Sequence, residues 1–110
     1  MKGKGGFGGG MQQLMRQANQ LQSKMKKKQE ELSNAEYDGT SGGGAVTVKV
    51  NGDGKILSMA IDEDVFKEGD VEMLQDMIMS AANEAIQTAK DTSNEEMEKL
   101  TGGVNIPGLF

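Results

Sequence analysis

Ala45-Val46-Thr47-Val48-Lys49-Val50-Asn51-Gly52-Asp53-Gly54-Lys55-Ile56-Leu57-Ser58-Met59-Ala60-Ile61 carries the clearest strand periodicity in the chain. Val46, Val48 and Val50 alternate with Thr47 and Lys49, the period-two pattern of a strand with one buried face. Asn51-Gly52-Asp53-Gly54 supplies residues that tolerate positive φ and reads as a hairpin turn. Lys55 to Ile61 is then the return strand, with Leu57, Met59 and Ile61 expected on the buried side. One apolar and one polar face imply an antiparallel sheet covered on one side only. Upstream, Ala35 to Thr40 alternates weakly, Ala35 and Tyr37 against Glu36 and Asp38. Ser41-Gly42-Gly43-Gly44 separates it from the valine strand. That glycine run lacks the Lys-Ser/Thr of a phosphate loop and reads as a bend or bulge.

Outside the strands the period changes. Met11, Leu14, Ala18, Leu21, Met25 and Leu32 follow spacings of three and four, with Lys28 interrupting the seam, and no Gly or Pro intrudes before Gly39. This predicts a helix of about 24 residues, roughly 36 Å long, ended by Ser33-Asn34. Such a helix is longer than a three-stranded sheet can cover, so part of it must protrude or pack on another helix. Residues 1–10 hold six Gly and two Lys and are expected to be a mobile arm. After the sheet, Asp62 to Asp70 is an acidic connection with room for one helical turn. A second helix begins near Val71, and Leu74, Met77, Ile78, Ala81, Ala82, Ala85, Ile86 and Ala89 form its apolar stripe. Its alanines let another backbone come close. Asp91-Thr92-Ser93-Asn94 offers a break, because Thr92 with Glu95 and Ser93 with Glu96 each fit a capping box. Gly102-Gly103 stop the helix. Val104 to Phe110 is an apolar tail that either docks on a groove or stays loose. The expected layout is an arm over 1–10, one domain over 11–101 and a tail over 102–110, in a two-layer α+β fold.

Composition bounds the chemistry. The 110 residues include no His and no Cys, which removes Ser-His-Asp and Cys-His machinery, thiolate nucleophiles and ordinary zinc or iron–sulfur sites. Asp62, Glu63 and Asp64 could meet a hard cation, but adjacent acids at a strand end more commonly cap the next turn. Gly3-Lys4-Gly5-Gly6-Phe7-Gly8 matches a dinucleotide pattern without the preceding strand that pattern requires. No catalytic residue, metal, cofactor or small-molecule substrate is expected. No stretch approaches the ~20 apolar residues of a membrane span, and a cytoplasmic location is expected. Leu, Ile, Val and Phe total only 21 residues, so nine Met must fill much of the core. Met11, Met15, Met25, Met73, Met77, Met79 and Met97 are read in that role. A core so thin favours a homodimer in which a second copy completes it.

The formal net charge of −5 is unevenly divided. Residues 1–33 hold seven basic side chains against Glu30 and Glu31, whereas the remainder is strongly acidic. Lys24, Lys26, Lys27 and Lys28 fall within five residues of the first helix, Arg16 lies two to three turns earlier, and Lys2 and Lys4 lie on the arm. Such a positive strip suits phosphates, with Gln12, Gln13, Gln17, Asn19, Gln20, Gln22 and Ser23 as uncharged donors beside it. Scarce aromatics disfavour single-strand stacking relative to duplex binding. The alternative reading is a protein–protein adaptor in DNA repair or recombination, using Met-rich grooves and the Ile106–Phe110 tail, with no strong DNA binding of its own.

Several segments occur in a familiar order: the Gly-rich start, Met11-Gln12-Gln13-Leu14-Met15-Arg16-Gln17-Ala18, Gln29-Glu30-Glu31-Leu32, Gly42-Gly43-Gly44-Ala45-Val46-Thr47-Val48, Asn51-Gly52, Leu74-Gln75-Asp76-Met77-Ile78, Ala81-Ala82-Asn83-Glu84-Ala85, Leu100-Thr101-Gly102-Gly103 and Pro107-Gly108. In this order and spacing the chain resembles the YbaB/EbfC family of bacterial nucleoid-associated proteins. The resemblance implies a tweezer-like homodimer of α-β-β-β-α subunits, each with a three-stranded antiparallel sheet and two long helices that contact double-stranded DNA. By that resemblance Arg16, Lys24, Lys26, Lys27 and Lys28 belong to the first helix's contact set, and Gln87, Lys90, Asn94 and Lys99 to the second's. A place in the nucleoid, in chromosome organisation and in gene regulation is implied likewise. The second helix departs from a basic pattern, carrying Glu84, Asp91, Glu95, Glu96 and Glu98.

Overall fold

A computed structural model describes residues 2–102 of the chain, with side chains from residue 10 onward. The expectations for Val104–Phe110 therefore lie outside the described residues. The elements are α1 (Lys2–Asn34), β1 (Glu36–Ser41), a 3-10 turn (Gly42–Gly44), β2 (Val46–Asn51), β3 (Ile56–Ile61), α2 (Glu63–Lys67) and α3 (Val71–Thr101). Three strands in the order β1-β2-β3 form one antiparallel sheet, giving the α+β, α-β-β-β-α subunit. The molecule is a rod of 83 × 19 × 18 Å.

The valine strand behaves as its period dictates. Val46, Val48 and Val50 are fully buried and meet Ala81, Ala85 and Ala89 of α3, with Tyr37, Ile61, Leu74, Met77, Ile78 and Ile86 around them. Small residues bring α3 down onto β1. A Cβ at Gly39 would overlap the Ala81 carbonyl oxygen and lie 2.5 Å from the Ala85 nitrogen, so only glycine fits there. The Ser41 hydroxyl donates to the Met77 carbonyl at 2.6 Å and fixes the other end of this contact. Gly52 plays the same role for α1. Its N–H donates to the Ser33 carbonyl at 3.1 Å, and a Cβ there would strike the Leu32 carbonyl. The hairpin turn is closed by Asn51, whose side-chain oxygen accepts from the Asp53 and Lys55 amides at 2.9 and 3.0 Å. The predicted turn is confirmed, although Gly54 alone takes the positive φ within it. The bend expected at the Gly42–Gly44 run is a 3-10 turn with all three glycines at positive φ.

Three expectations are corrected. First, α1 begins at Lys2, so the helix expected from Met11 starts nine residues earlier. Second, α3 runs unbroken through Asp91–Asn94. The capping-box residues lie mid-helix, and Gln87 donates to Asp91 across one turn at 2.9 Å. Third, Leu57 and Met59 are not buried. They are 43% and 45% exposed, Ile56 is 49% exposed, and only Ile61 reaches the core margin. A helix is about 10 Å across and strands are about 4.8 Å apart, so α3 can roof two strands and leaves the third uncovered. The register of β3 also slips, with Lys49 opposite Ser58 but Val50 opposite Ile56, leaving Leu57 as the extra residue of a bulge. The methionines divide similarly: Met25 is buried, whereas Met11, Met15 and Met79, expected in the core, are exposed.

Both long helices leave the sheet at the same end. α3 passes Ala89 and continues beside the C-terminal half of α1, antiparallel to it, with Met25 and Leu32 buried along the seam. Gly102, in the left-handed conformation, ends α3 with its N–H on the Glu98 and Lys99 carbonyls. α2 is capped by Asp62, whose carboxylate accepts from the Asp64 amide at 2.8 Å, and α3 by Asp70, which accepts from the Met73 amide at 3.0 Å. These acids are helix caps, and among the described residues no cluster of potential ligands could hold a metal ion.

Candidate nucleic-acid interface

Successive helical residues turn by about 100°, which sorts the charged side chains of α1 about its axis. With Met25 and Leu32 facing α3, Arg16 points directly away from α3, Lys27 lies between Arg16 and the Lys24 side, and Lys26 lies on the opposite flank. Lys24 and Lys28 lie on the other flank, toward the groove that α1 and α3 share. Lys24, Lys27, Lys28, Lys99, Glu31, Glu96 and Leu100 line that groove, an open depression of about 360 Å³. A second depression of about 500 Å³, lined by Asn19, Gln20, Ser23 and Lys24, extends it toward the tip of α1. Four ammonium groups and three uncharged donors thus follow one edge of the arm.

At the centre of the groove is an acid whose sequence context suggests only a helix cap. The Glu96 carboxylate lies 3.3 Å from the Lys28 Nζ and 3.6 Å from the Lys99 Nζ. The Lys28 hydrogen bond first, then the charges of Lys99 and Lys28, hold the Glu96 carboxyl below its ordinary range. Lys28 also approaches Glu31 at 3.9 Å. Lys28 therefore interrupts the apolar seam of α1 because it meets an acid on the facing helix. The signal was legible only in combination, since Glu96 continues the Ala85, Ala89, Ser93 spacing of α3.

The remaining candidates separate. Gln87, Lys90 and Asn94 lie on the side of α3 turned away from α1, among Glu84, Asp91, Glu95 and Glu98, and the Gln87 amide is engaged with Asp91. The structure does not bring these three together with the lysines of α1; only Lys99 of the second set joins them. Among the described residues, Lys24, Lys26 and Lys27 are exposed and outside ion-pair distance of any acid. Lys2 and Lys4 lie in α1 where side chains are not described.

Geometrically this is a helical arm with a basic edge on a small α+β base, a shape for a long anionic partner. A model of the YbaB/EbfC DNA-binding family matches residues 7–104, and the chain belongs to that family. It is 52% identical over 107 residues to a nucleoid-associated protein of Clostridium novyi, covering 96% of this chain and 94% of that one. A nucleoid-associated protein of Clostridium kluyveri is 49% identical over 105 residues, covering 96% and 92%. A crystal structure of an uncharacterized Helicobacter pylori protein shares the fold, with TM-score 0.67 and 24% identity over 81% of this chain and 94% of that one. Among the described residues no helix is long and apolar enough to cross a membrane.

Proposed function

We propose that this protein binds double-stranded DNA in the bacterial nucleoid as a homodimer, through phosphate contacts from the arms built by α1 and α3. It organises the chromosome and biases transcription locally by occupying DNA, without catalysis. The carrying observation is the gathering of Lys24, Lys27, Lys28 and Lys99 along one groove of an otherwise acidic chain. Dimerisation is supported by the uncovered face of β3, where Ile56, Leu57 and Met59 stand about half exposed on an edge strand. A second copy laid there would supply the cover that α3 is too narrow to give. Names of the clostridial relatives support the nucleoid setting.

The test is a salt-titrated duplex-binding measurement on Lys24→Ala with Lys27→Ala. Both specific and random duplexes should be bound more weakly, and the salt slope should fall by roughly one unit for each phosphate no longer neutralised. Wild-type affinity and slope in the double variant would overturn the arm model. Failure of the wild type to bind any duplex at about 50 mM salt would overturn DNA binding itself.

A further inference from the structure

The apolar seam of α1 does not stop where its cover stops. Pairing of Lys28 with Glu96 fixes the antiparallel offset of the two helices. Gly102, six residues beyond Glu96, is then level with about Gln22, six residues before Lys28, because both helices rise about 1.5 Å per residue. On the sheet side of that level Met25 and Leu32 are buried and Leu21 is half-buried. Beyond it every residue from 10 to 20 is exposed, with Leu14 and Met15 each 62% exposed. Yet Ala18, Leu14 and Met11 continue the same line of the helix for a further ~15 Å.

We propose that residues 104–110 turn back from Gly102 and lie, extended, along this uncovered part of the α1 seam in the same chain. Three observations choose that occupant. The chain continues past Gly102 at the level where the seam loses α3, so the contact would be continuous with the existing interface. Val104, Ile106, Leu109 and Phe110 supply apolar side chains, and Pro107 keeps the segment from continuing as helix. The eight residues 103–110 reach about 26 Å when extended, more than the ~15 Å to Met11. At about 3.3 Å per residue Val104 falls beside Ala18 and Ile106 beside Leu14. Docking there converts the bare rod into a two-layered arm and hides an apolar strip that would otherwise invite self-association. A tail seated in this way is independent of what the arm binds.

The chain has no native cysteine, which allows a direct test. Leu14→Cys with Ile106→Cys, in the full chain under mild oxidation, should form an intramolecular disulfide that runs as a monomer. Gln12→Cys with Ile106→Cys, on the opposite side of α1, should stay largely reduced. A disulfide-linked species of double mass from the first pair means the tail reaches a second copy, and overturns docking in the same chain. Free thiols in the first pair, or equal oxidation of both pairs, overturn docking altogether. Independently, hydrogen exchange of amides 10–20 should speed up about ten-fold or more in a chain ending at residue 103, while the amides of β2 are unchanged. Identical exchange in the two chains overturns the proposal.

Discussion

Glu96→Gln isolates one charge at the centre of the arm while keeping the side chain's shape. In the wild type a phosphate that approaches Lys28 or Lys99 must displace a carboxylate 3.3 and 3.6 Å from their Nζ atoms. The substitution frees Lys99, and frees Lys28 except for its longer contact with Glu31 at 3.9 Å. Between one and two phosphate contacts are then added per arm. Each contact steepens the plot of log K against log salt by about 0.9. Over the fourfold range from 50 to 200 mM that is about 3.5-fold per contact, so the variant should lose up to about 12-fold more affinity per engaged arm across the range than the wild type, and up to about 150-fold with both arms of the dimer engaged. At the low end of the range it should bind more tightly. Fluorescence anisotropy with a labelled random duplex measures both quantities. Glu98→Gln is the control, because Glu98 has no lysine within ion-pair distance among the described residues and its loss should leave the slope unchanged. Equal slopes for the wild type and both variants would refute the reasoning that Glu96 competes with DNA for these lysines.

Gly39→Ala should destabilise the fold by about 3 kcal/mol, since the new methyl group meets the α3 backbone, which must lift off the sheet. A thermal melt should show a midpoint at least about 10 °C lower, and a smaller shift than about 4 °C would contradict the close approach. Met59→Asp places a charge on the uncovered face of β3 without touching the core, so sedimentation equilibrium should report monomer with secondary structure intact. A stable dimer in that variant would place the interface elsewhere. The lowered Glu96 carboxyl also fixes a pH sign. Its contribution to holding α1 on α3 is complete above the ordinary carboxylate range and is lost as pH falls through the lower folded value. Melts of the wild type and Glu96→Gln should therefore differ near pH 7 and converge in acid. Divergence that grows in acid would contradict the assignment.

How much of this was legible depends on the range of the interaction. Val46, Val48 and Val50 revealed β2 because strand period and burial coincide on a central strand. The Asn51–Gly54 turn was equally local. Leu57 and Met59 show the same alternation, but their burial depends on the width of the covering helix, a quantity no strand pattern contains. The continuity of α3 through Asp91–Asn94 was hidden because Thr92 and Ser93 satisfy a capping rule that the mid-helix hydrogen bonds override. In the candidate interface, the lysine cluster was visible as composition. Its division into free and paired groups required the helix offset, which places Glu96 against Lys28 and carries Gln87, Lys90 and Asn94 to the far side.

That division bears on how an acidic chain can approach an acidic polymer at all. The outward face of α1, with Arg16 and Lys27, and the outward acids Glu84 and Asp91 of α3 lie on opposite sides of the helix pair, whereas Glu95 and Glu98 line a depression beside Lys99. Helix axes pack 8–10 Å apart and each helix is about 10 Å wide, so the two faces are separated by about 20 Å. The screening length is about 8 Å at physiological ionic strength, and repulsion from the acidic face reaches DNA docked on α1 at roughly a tenth of its unscreened value. At 10 mM salt the length is about 30 Å and about half of it survives. The arm should therefore follow a straight log–log salt dependence between about 50 and 200 mM, then flatten below about 20 mM as the surplus carboxylates begin to act. Neutralising the outer face, with Glu84→Gln and Asp91→Asn together, should bring the plot closer to a straight line at low salt. A wild-type line already straight down to 10 mM would mean that the bound DNA does not lie on the α1 side of the arm.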